Sequence, residues 1–138
     1  MADDKYFHLE IISPDRVFYE GPAEMLELTT SEGEIGVLKG HIPLTAMVTP
    51  CISNIMTGEE TKKAAIHDGF IEILPDKVVV LAESCEWPEE IDVARAKEAQ
   101  IRAERRLSDN DGQINIARAE LALRKALIRI ELSEETGR

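Results

Sequence analysis

The chain has 138 residues, enough for one domain of ordinary size or a small domain with an appendage. Its formal net charge of −11 argues against nucleic acid as a partner, because no basic surface would offset the repulsion from phosphates. The charge is uneven, with 16 acids and 6 bases in residues 1–86 but 11 acids and 10 bases in residues 87–138. Two partner surfaces of different charge, or two solvated surfaces, would each explain this difference.

From the amino terminus to about residue 83, apolar and polar side chains alternate, as they do in strands with one buried face. The segments "FHLEII", "RVFYEG" and "EMLELTT" each show this pattern, and turn residues such as Asp68-Gly69 separate the segments. We therefore predict a β-sandwich or barrel of short strands. The continuous apolar run at residues 78–81 predicts a strand that is covered on both sides.

The stretch "GEIGVLKGHIP", residues 33–43, contains three glycines and resembles a phosphate-binding loop at first sight. A P-loop requires Lys-Ser or Lys-Thr directly after its last glycine. Here Gly40 is followed by His41 and Ile42, and the glycine spacing does not fit the dinucleotide-binding fingerprint either. We therefore expect these glycines to form sharp corners between strands rather than a phosphate site.

Histidine and cysteine spacing gives no indication of a metal or redox centre. His8, His41 and His67 are the only histidines, and none lies one, three or four residues from another. Cys51 and Cys85 are the only cysteines, and without a signal peptide two reduced thiols are expected. No apolar run approaches the length of a membrane span, and "MADDKYF" carries acids and lacks the arginines of a transit peptide.

The alternation ends at Trp87-Pro88, a plausible hinge, and a helical pattern follows. Asp92 is a good N-cap for the segment "VARAKEAQIRAERRL", and "SDNDG" at residues 108–112 predicts a turn into a second helix. An antiparallel hairpin that packs largely through alanine buries little area, so we expect it to be weakly held and able to move. The expected stripes are Ala96, Ala99, Ala103 and Leu107 on the first helix, and Ile116, Ala119, Leu123, Ala126 or Leu127, and Ile130 on the second.

Three segments, "EGEIGVLKGHIPL", "DGFIEILPDKVVVLAE" and "EEIDVARA", resemble the epsilon subunit of bacterial F-type ATP synthase. The order of a β-sandwich in residues 1–86 and a C-terminal antiparallel two-helix hairpin in residues 87–138 is similar to that family as well. The chain departs from the family at Cys51, where glycine is usual, and at Asp68-Gly69, where two glycines are usual. Both departures fall at turns, so they bear on local backbone geometry.

The resemblance implies a non-catalytic subunit of the rotating central stalk, which couples the catalytic head to the proton-driven ring. Its implied partners are the gamma subunit, the rotor c-ring and the alpha/beta catalytic head, at the cytoplasmic face of the bacterial plasma membrane and peripheral to it. The hairpin of the family blocks ATP hydrolysis when it extends into the head and releases it when folded. No catalytic cofactor is implied, and ATP would act only as a regulatory ligand.

The resemblance also implies an ATP site in the hairpin, because the family motif of Ile or Leu, Asp, two variable residues and Arg-Ala recurs at "IDVARA". If the hairpin turns at about Asn110–Asp111, Asp92 would lie opposite Arg129, and cations would surround a space lined by alanine. The alternative is that Asp92 only caps its helix and the arginines form surface pairs. The implied ATP-binding residues are Ile91, Asp92, Arg95 and Ala96, the basic residues Arg102, Lys125 and Arg129, and, as a weaker match, Glu86.

Two further sets of residues follow from the resemblance. Glu34 would face the rotor ring and His41 would lie near the gamma subunit, although His41 is equally explained as a hydrogen-bonded corner residue. Four basic residues of the second helix would oppose hydrolysis by meeting acidic segments of the head, or would form a solvated face with pairs such as Glu120 and Arg124. These basic residues are Arg118, Arg124, Lys125 and Arg129.

Two other function classes remain as alternatives. The first is a free-standing nucleotide-sensing β-sandwich protein, which would differ from a stalk subunit by not co-purifying with other subunits. The second is an enzyme on a β-barrel of the cupin kind, which needs inward histidines together with a carboxylate. The three scattered histidines and the lack of a nucleophile beside a base argue against an enzyme.

Overall fold

The computed structural model describes residues 5–109 and 115–137, and it divides into two compact units, residues 1–86 and residues 87–138. The first unit is built from strands and the second from helices, so the predicted order of a β-sandwich followed by two helices is confirmed. The strands of the first unit are β1 (Phe7–Ser13), β2 (Arg16–Ala23), β3 (Met25–Thr30), β4 (Gly33–Leu38), β5 (Leu44–Val48), β6 (Cys51–Thr57), β7 (Glu60–Ile73) and β8 (Lys77–Glu86).

The long strand β7 joins the strands of the first unit. Its first half pairs with β6, and its second half pairs with β5 on one side and β8 on the other. The strand order is β2-β1-β8-β7-β5-β3-β4, and β6 pairs with both β3 and β7. The β1–β8 pair is parallel, whereas the other pairs are antiparallel.

The predicted alternation is realised on these strands, since every second residue of β1 is buried. Leu9 and Ile11 of β1, Leu26 of β3, Ile55 of β6 and Val80 of β8 are fully buried and meet in the core. Side chains of successive residues in a strand point to opposite faces, so this inward set forces the intervening residues outward.

The expectation that residues 78–81 are covered on both sides is wrong. Val78 and Val80 are buried, but Leu81 on the opposite face is 47% exposed. The strand therefore has one inner and one outer face, and its outer face is apolar because the run is continuous rather than alternating.

Gly69 and its neighbour Asp68 mark a close approach of β7 to β8. Gly69 has a φ of 149°, and a Cβ added there would overlap the carbonyl oxygen of Leu81. Asp68 has a φ of 56°, in the left-handed region where glycine is favoured. The backbone geometry thus explains why the resembling family usually places glycine at both positions.

Cys51 and Cys85 lie on two strands that are separated by β7. Each of them is the direct partner of Ile66, so the two cysteines stand two strand spacings apart, about 9.6 Å. A disulfide requires Cα atoms within about 7 Å, so these thiols cannot pair without moving strands. Both thiols are reduced and buried, and burial raises the pKa of the Cys51 thiol.

The second unit begins with a short 3-10 helix, Pro88–Glu90, and continues as α1 (Val93–Ser108) and α2 (Ile116–Glu135). The expected turn at Asn110–Asp111 lies outside the described residues. Within the described part of the unit, neither helix is apolar enough over a sufficient length to cross a membrane.

Small side chains at buried positions of each helix recur every seven residues, and Leu132 of α2 is buried beside them. Ala96 and Ala103 of α1 are buried, and so are Ala119, Ala126 and Ser133 of α2. A repeat of seven residues keeps a narrow seam along a helix, which lets two helices approach closely through small side chains.

The broader stripe expected for α2 is therefore only partly correct. Ala119 and Ala126 are buried as expected. Ile116 and Leu127, however, are 54% and 44% exposed, because they fall beside the narrow seam.

Candidate functional site

The amino-terminal end of α1 carries the acidic residue of the expected ATP motif. Asp92 is exposed, and its Oδ1 accepts a hydrogen bond from the backbone N–H of Arg95 at 3.1 Å. The capping role of Asp92 is thus confirmed. Because one oxygen serves the cap, Oδ2 is the oxygen that can accept from a ligand amino group.

The two apolar residues of the motif are buried in the structure. Ile91 is 2% exposed and Ala96 is 3% exposed. Ile91 also donates its backbone N–H to the carbonyl oxygen of Pro88 at 3.2 Å, which fixes the chain just before α1. These two residues therefore pack at the start of the helix. Asp92 and Arg95 are the motif residues whose side chains are exposed to a ligand.

The basic residues of the expected site lie on both helices. Arg95 and Arg102 are exposed and stand seven residues apart, so they share a face of α1. Lys125 and Arg129 of α2 are partly buried and four residues apart, so they share a face of that helix. Guanidinium and ammonium groups arranged in this way can hold phosphate oxygens, although Lys125 offers a single charge where arginine would offer a bidentate fork.

The four basic residues expected to oppose hydrolysis do not all point the same way. Arg118, Lys125 and Arg129 are spaced by seven and four residues and share one face of α2. Arg124 lies about 100° round the helix from Lys125 and is exposed. Arg124 therefore lies outside the face that carries Arg118, Lys125 and Arg129.

Glu86, the weaker match of the ATP set, is the last residue of β8 and belongs to the first unit. Its Oε1 lies 3.1 Å from Nε2 of His67, a β7 side chain with no exposed surface. The pairing of His67 with Glu86 was not predicted from the sequence, because 19 residues separate the two and only the register of β7 with β8 brings them together.

Glu34 stands next to a tight turn between β3 and β4. The Thr30 hydroxyl closes this turn by donating to the carbonyl oxygen of Gly33 at 2.8 Å, while it accepts from the backbone N–H of Glu32 at 3.1 Å. Glu34 is exposed and is the direct partner of Thr29. The carboxylate of Glu34 is thus exposed to solvent beside a turn that the Thr30 hydroxyl closes with two hydrogen bonds.

His41 makes the local hydrogen bond that a corner residue would make. Its Nδ1 lies 2.7 Å from the carbonyl oxygen of Ile42, and the ring is half-buried. The structural explanation of His41 is therefore confirmed, while its expected role at a partner interface stays a prediction. The neighbouring Ile42 is 74% exposed, so the corner also presents an apolar side chain to solvent.

An exposed apolar row crosses three strands of the first unit, and sequence reasoning did not identify it. Met47 pairs with Phe70, and Phe70 pairs with Leu81, which gives one continuous row on β5, β7 and β8. The three side chains are 57%, 49% and 47% exposed, and they line a shallow depression of about 530 Å³. A contiguous exposed apolar surface is typical of a protein interface. We call Met47, Phe70 and Leu81 the apolar row.

Two models of one protein family together match nearly the whole chain. The β-sandwich domain of the ATP synthase delta/epsilon chain matches residues 6–88, and the long α-helix domain of the same chain matches residues 89–134. The resemblance inferred from the three sequence segments is thereby confirmed.

Bacterial relatives agree with the two family models. A protein called ATP synthase epsilon chain from Caldanaerobacter subterraneus is 43% identical over 96% of each chain. One of the same name from Clostridium novyi is 44% identical over 93% of this chain and 98% of its own.

Structures of two mitochondrial ATP synthases contain chains with the same fold. One from Euglena gracilis has a TM-score of 0.79 at 23% identity, covering 95% of this chain and 81% of its own. One from Tetrahymena thermophila, in a structure of the central stalk and c-ring, has a TM-score of 0.57 at 9% identity, covering 96% of each chain. From the two family models and the bacterial relatives it follows that the chain belongs to the delta/epsilon chain family of ATP synthase.

Proposed function

We propose that this chain is a non-catalytic central-stalk subunit of a proton-translocating bacterial ATP synthase, bound peripherally at the cytoplasmic face of the membrane. Residues 1–86 would dock on the gamma subunit and the rotor c-ring, and residues 87–138 would regulate hydrolysis by the alpha/beta catalytic head. The observation that carries the proposal is the match of both family models, in order, over residues 6–134.

The apolar row supports a docking role for the first unit. Phe70 stands between Met47 and Leu81, so a partner that covers the row would bury three large side chains at once. Aromatic and methionine side chains are enriched in the cores of protein interfaces. The charged residue Glu34 would act at a different place, the turn between β3 and β4, as a polar contact with the c-ring.

The alanine seam supports a mobile hairpin. Each buried methyl group contributes about 0.8 kcal/mol, so the four buried alanines of the seam contribute only about 3 kcal/mol together, and the buried Leu132 adds about 1.5–3 kcal/mol. A partner or ligand that prefers one state of the hairpin by a similar free energy can shift its population.

Regulation by ATP would use the two cationic faces of the hairpin. Oδ2 of Asp92 would accept from the adenine amino group, and Arg95, Arg102 and Arg129 would bind phosphate oxygens, with Lys125 as a weaker contact. Glu86 belongs to the first unit, where its carboxylate lies against His67, so its part in ATP binding stays a prediction. Because ATP would bind only the folded hairpin, it would stabilise that state and relieve inhibition.

Inhibition would use the face of α2 that carries Arg118, Lys125 and Arg129, attracted to acidic segments of the catalytic head. Arg124 points elsewhere on the helix, so its replacement by alanine should change hydrolysis by the assembled enzyme less than replacement of the other three. A smaller effect of the Arg124 replacement would show that inhibition depends on one face of α2 and not only on the total positive charge of the helix.

The docking proposal is tested by co-purification with the gamma subunit. Phe70→Asp places a charge in the centre of the apolar row and should abolish association, whereas Ile116→Asp alters a similarly exposed apolar residue of the hairpin and should leave association intact. Circular dichroism of both variants checks that each remains folded. A wild-type chain that associates with none of the ATP synthase subunits would favour the free-standing nucleotide sensor instead.

A further inference from the structure

Three metal-ligating side chains converge on the outer face of β1 and β2. His8 Nε2 lies 3.9 Å from Glu10 Oε1 and 3.7 Å from Glu20 Oε2, and the ligand atoms of all three residues lie within 4.8 Å of one another. The strand register produces this arrangement, because Glu10 and Glu20 are direct cross-strand partners and His8 stands two residues before Glu10 on the same face.

We propose that His8, Glu10 and Glu20 bind a divalent transition-metal cation, with Zn²⁺ as the best match. Imidazole nitrogen and carboxylate oxygen are ordinary zinc ligands at about 2.0–2.2 Å, and a tetrahedral ion separates its ligand atoms by about 3.4 Å. The distances from His8 Nε2 to the two carboxylate oxygens exceed that value by only a few tenths of an ångström. Small side-chain rotations would therefore complete three protein ligands, and water would be the fourth.

The two carboxylates of the cluster favour a cation, and a neighbouring lysine orients one of them. Two glutamates directly opposite each other on a sheet repel, and a divalent ion between them would neutralise both. The Nζ of Lys77 lies 3.4 Å from Glu10 Oε2, the oxygen other than the one nearest His8. Lys77 thus holds the carboxylate of Glu10 with Oε1 towards His8, as outer groups commonly orient metal ligands.

An ion has access to the cluster and would have a structural effect there. The side chains of His8, Glu10 and Glu20 are 44%, 21% and 56% exposed, so the ligand atoms can be reached from solvent. The strand β2 stands at one end of the strand order, paired with β1. A metal shared by β1 and β2 would cross-link this edge strand to its neighbour and raise the stability of the first unit.

The test is titration of the untagged, metal-free full chain with ZnCl2, followed by calorimetry and thermal unfolding. We expect one Zn²⁺ per chain and a rise in Tm, an affinity at least tenfold lower in His8→Ala and in Glu20→Gln, and an unchanged affinity in His41→Ala. His41 is the matched control, because it is a surface histidine that hydrogen-bonds a backbone carbonyl outside the cluster. MgCl2 should have little effect, because Mg²⁺ prefers six oxygen ligands.

Imidazole ¹⁵N NMR provides a readout that does not depend on stability. Zinc should shift the Nε2 resonance of His8 and leave that of His41 in place. Equal zinc affinity in the wild type and His8→Ala, an equal effect of MgCl2, or a response centred on His41 would each overturn the proposal. Glu20→Gln keeps the shape of the side chain, so a loss of zinc binding in that variant cannot be attributed to misfolding.

Discussion

Helix capping and ATP binding by Asp92 can be separated, because a second residue of the hairpin makes the same capping bond. Asp92 Oδ1 accepts from Arg95 N at 3.1 Å, and Asn115 Oδ1 accepts from Arg118 N at 3.1 Å. Loss of either cap is expected to cost about 1 kcal/mol of helix stability. Only Asp92 belongs to the proposed ATP site, so Asn115→Ala is a matched control for Asp92→Ala.

The expected loss of ATP affinity on replacing Asp92 differs between its capping role and its proposed role in ATP binding. A hydrogen bond to a charged group contributes about 1.5–3 kcal/mol, and each 1.4 kcal/mol is a factor of ten in affinity. Asp92→Ala should therefore weaken ATP binding by about 10- to 100-fold. A lost cap alone would weaken it by at most about fivefold, even if binding required the fully folded hairpin.

The assay is calorimetric titration of each full-length variant with ATP, together with far-ultraviolet circular dichroism for helix content. Asp92→Ser is a third variant, since serine keeps a capping oxygen but removes the negative charge. We expect Asp92→Ser to retain helix content and still bind ATP weakly. Equal losses of affinity in Asp92→Ala and Asn115→Ala would assign the effect to capping, and no binding by the wild type would refute the site.

Three further predictions concern packing and titration. The Oγ of Ser133 is fully buried with no hydrogen-bond partner among the described residues, so Ser133→Ala should stabilise the hairpin by about 1 kcal/mol, measured by thermal unfolding; a lower Tm would contradict this. Gly69→Ala should cost the first unit about 3 kcal/mol or more in urea unfolding, because its Cβ would overlap a carbonyl oxygen, whereas Gly33→Ala, which has open space but a φ of 121°, should cost about 1–2 kcal/mol. Burial raises the pKa of the Cys51 thiol above its unfolded value, so folding favours the protonated thiol. The free energy of unfolding should therefore be unaffected at neutral pH and should fall as pH rises past the unfolded thiol pKa of about 8.5. Rapid alkylation of Cys51 in the folded chain at neutral pH would show that the thiol is not protected.

Local chemistry alone determined which segments become strands and helices. Alternation of apolar and polar residues predicts a strand wherever one face is buried, and β1 follows it from Phe7 to Ile11. Asp92 was predicted as an N-cap, and α1 begins at the next residue, Val93. Such features depend on neighbours within a few positions, so they can be read before any tertiary contact is known.

The sequence did not determine which side chains of α2 lie in the narrow seam between the two helices. Helical periodicity allowed either Ala126 or Leu127 on the buried side of α2, and the structure buries Ala126. The choice depends on how closely the two helices approach, which small side chains on both helices permit.

Strand neighbours and register also came only from the tertiary structure, because alternation specifies a face and not a partner. The pairing of Glu10 with Glu20 and the contact of His67 with Glu86 each join residues on two different strands. The apolar row arises in the same way, since Met47, Phe70 and Leu81 come from three separate segments. The sequence by itself determined the elements and the family, whereas long-range pairing decided which side chains meet on the surface.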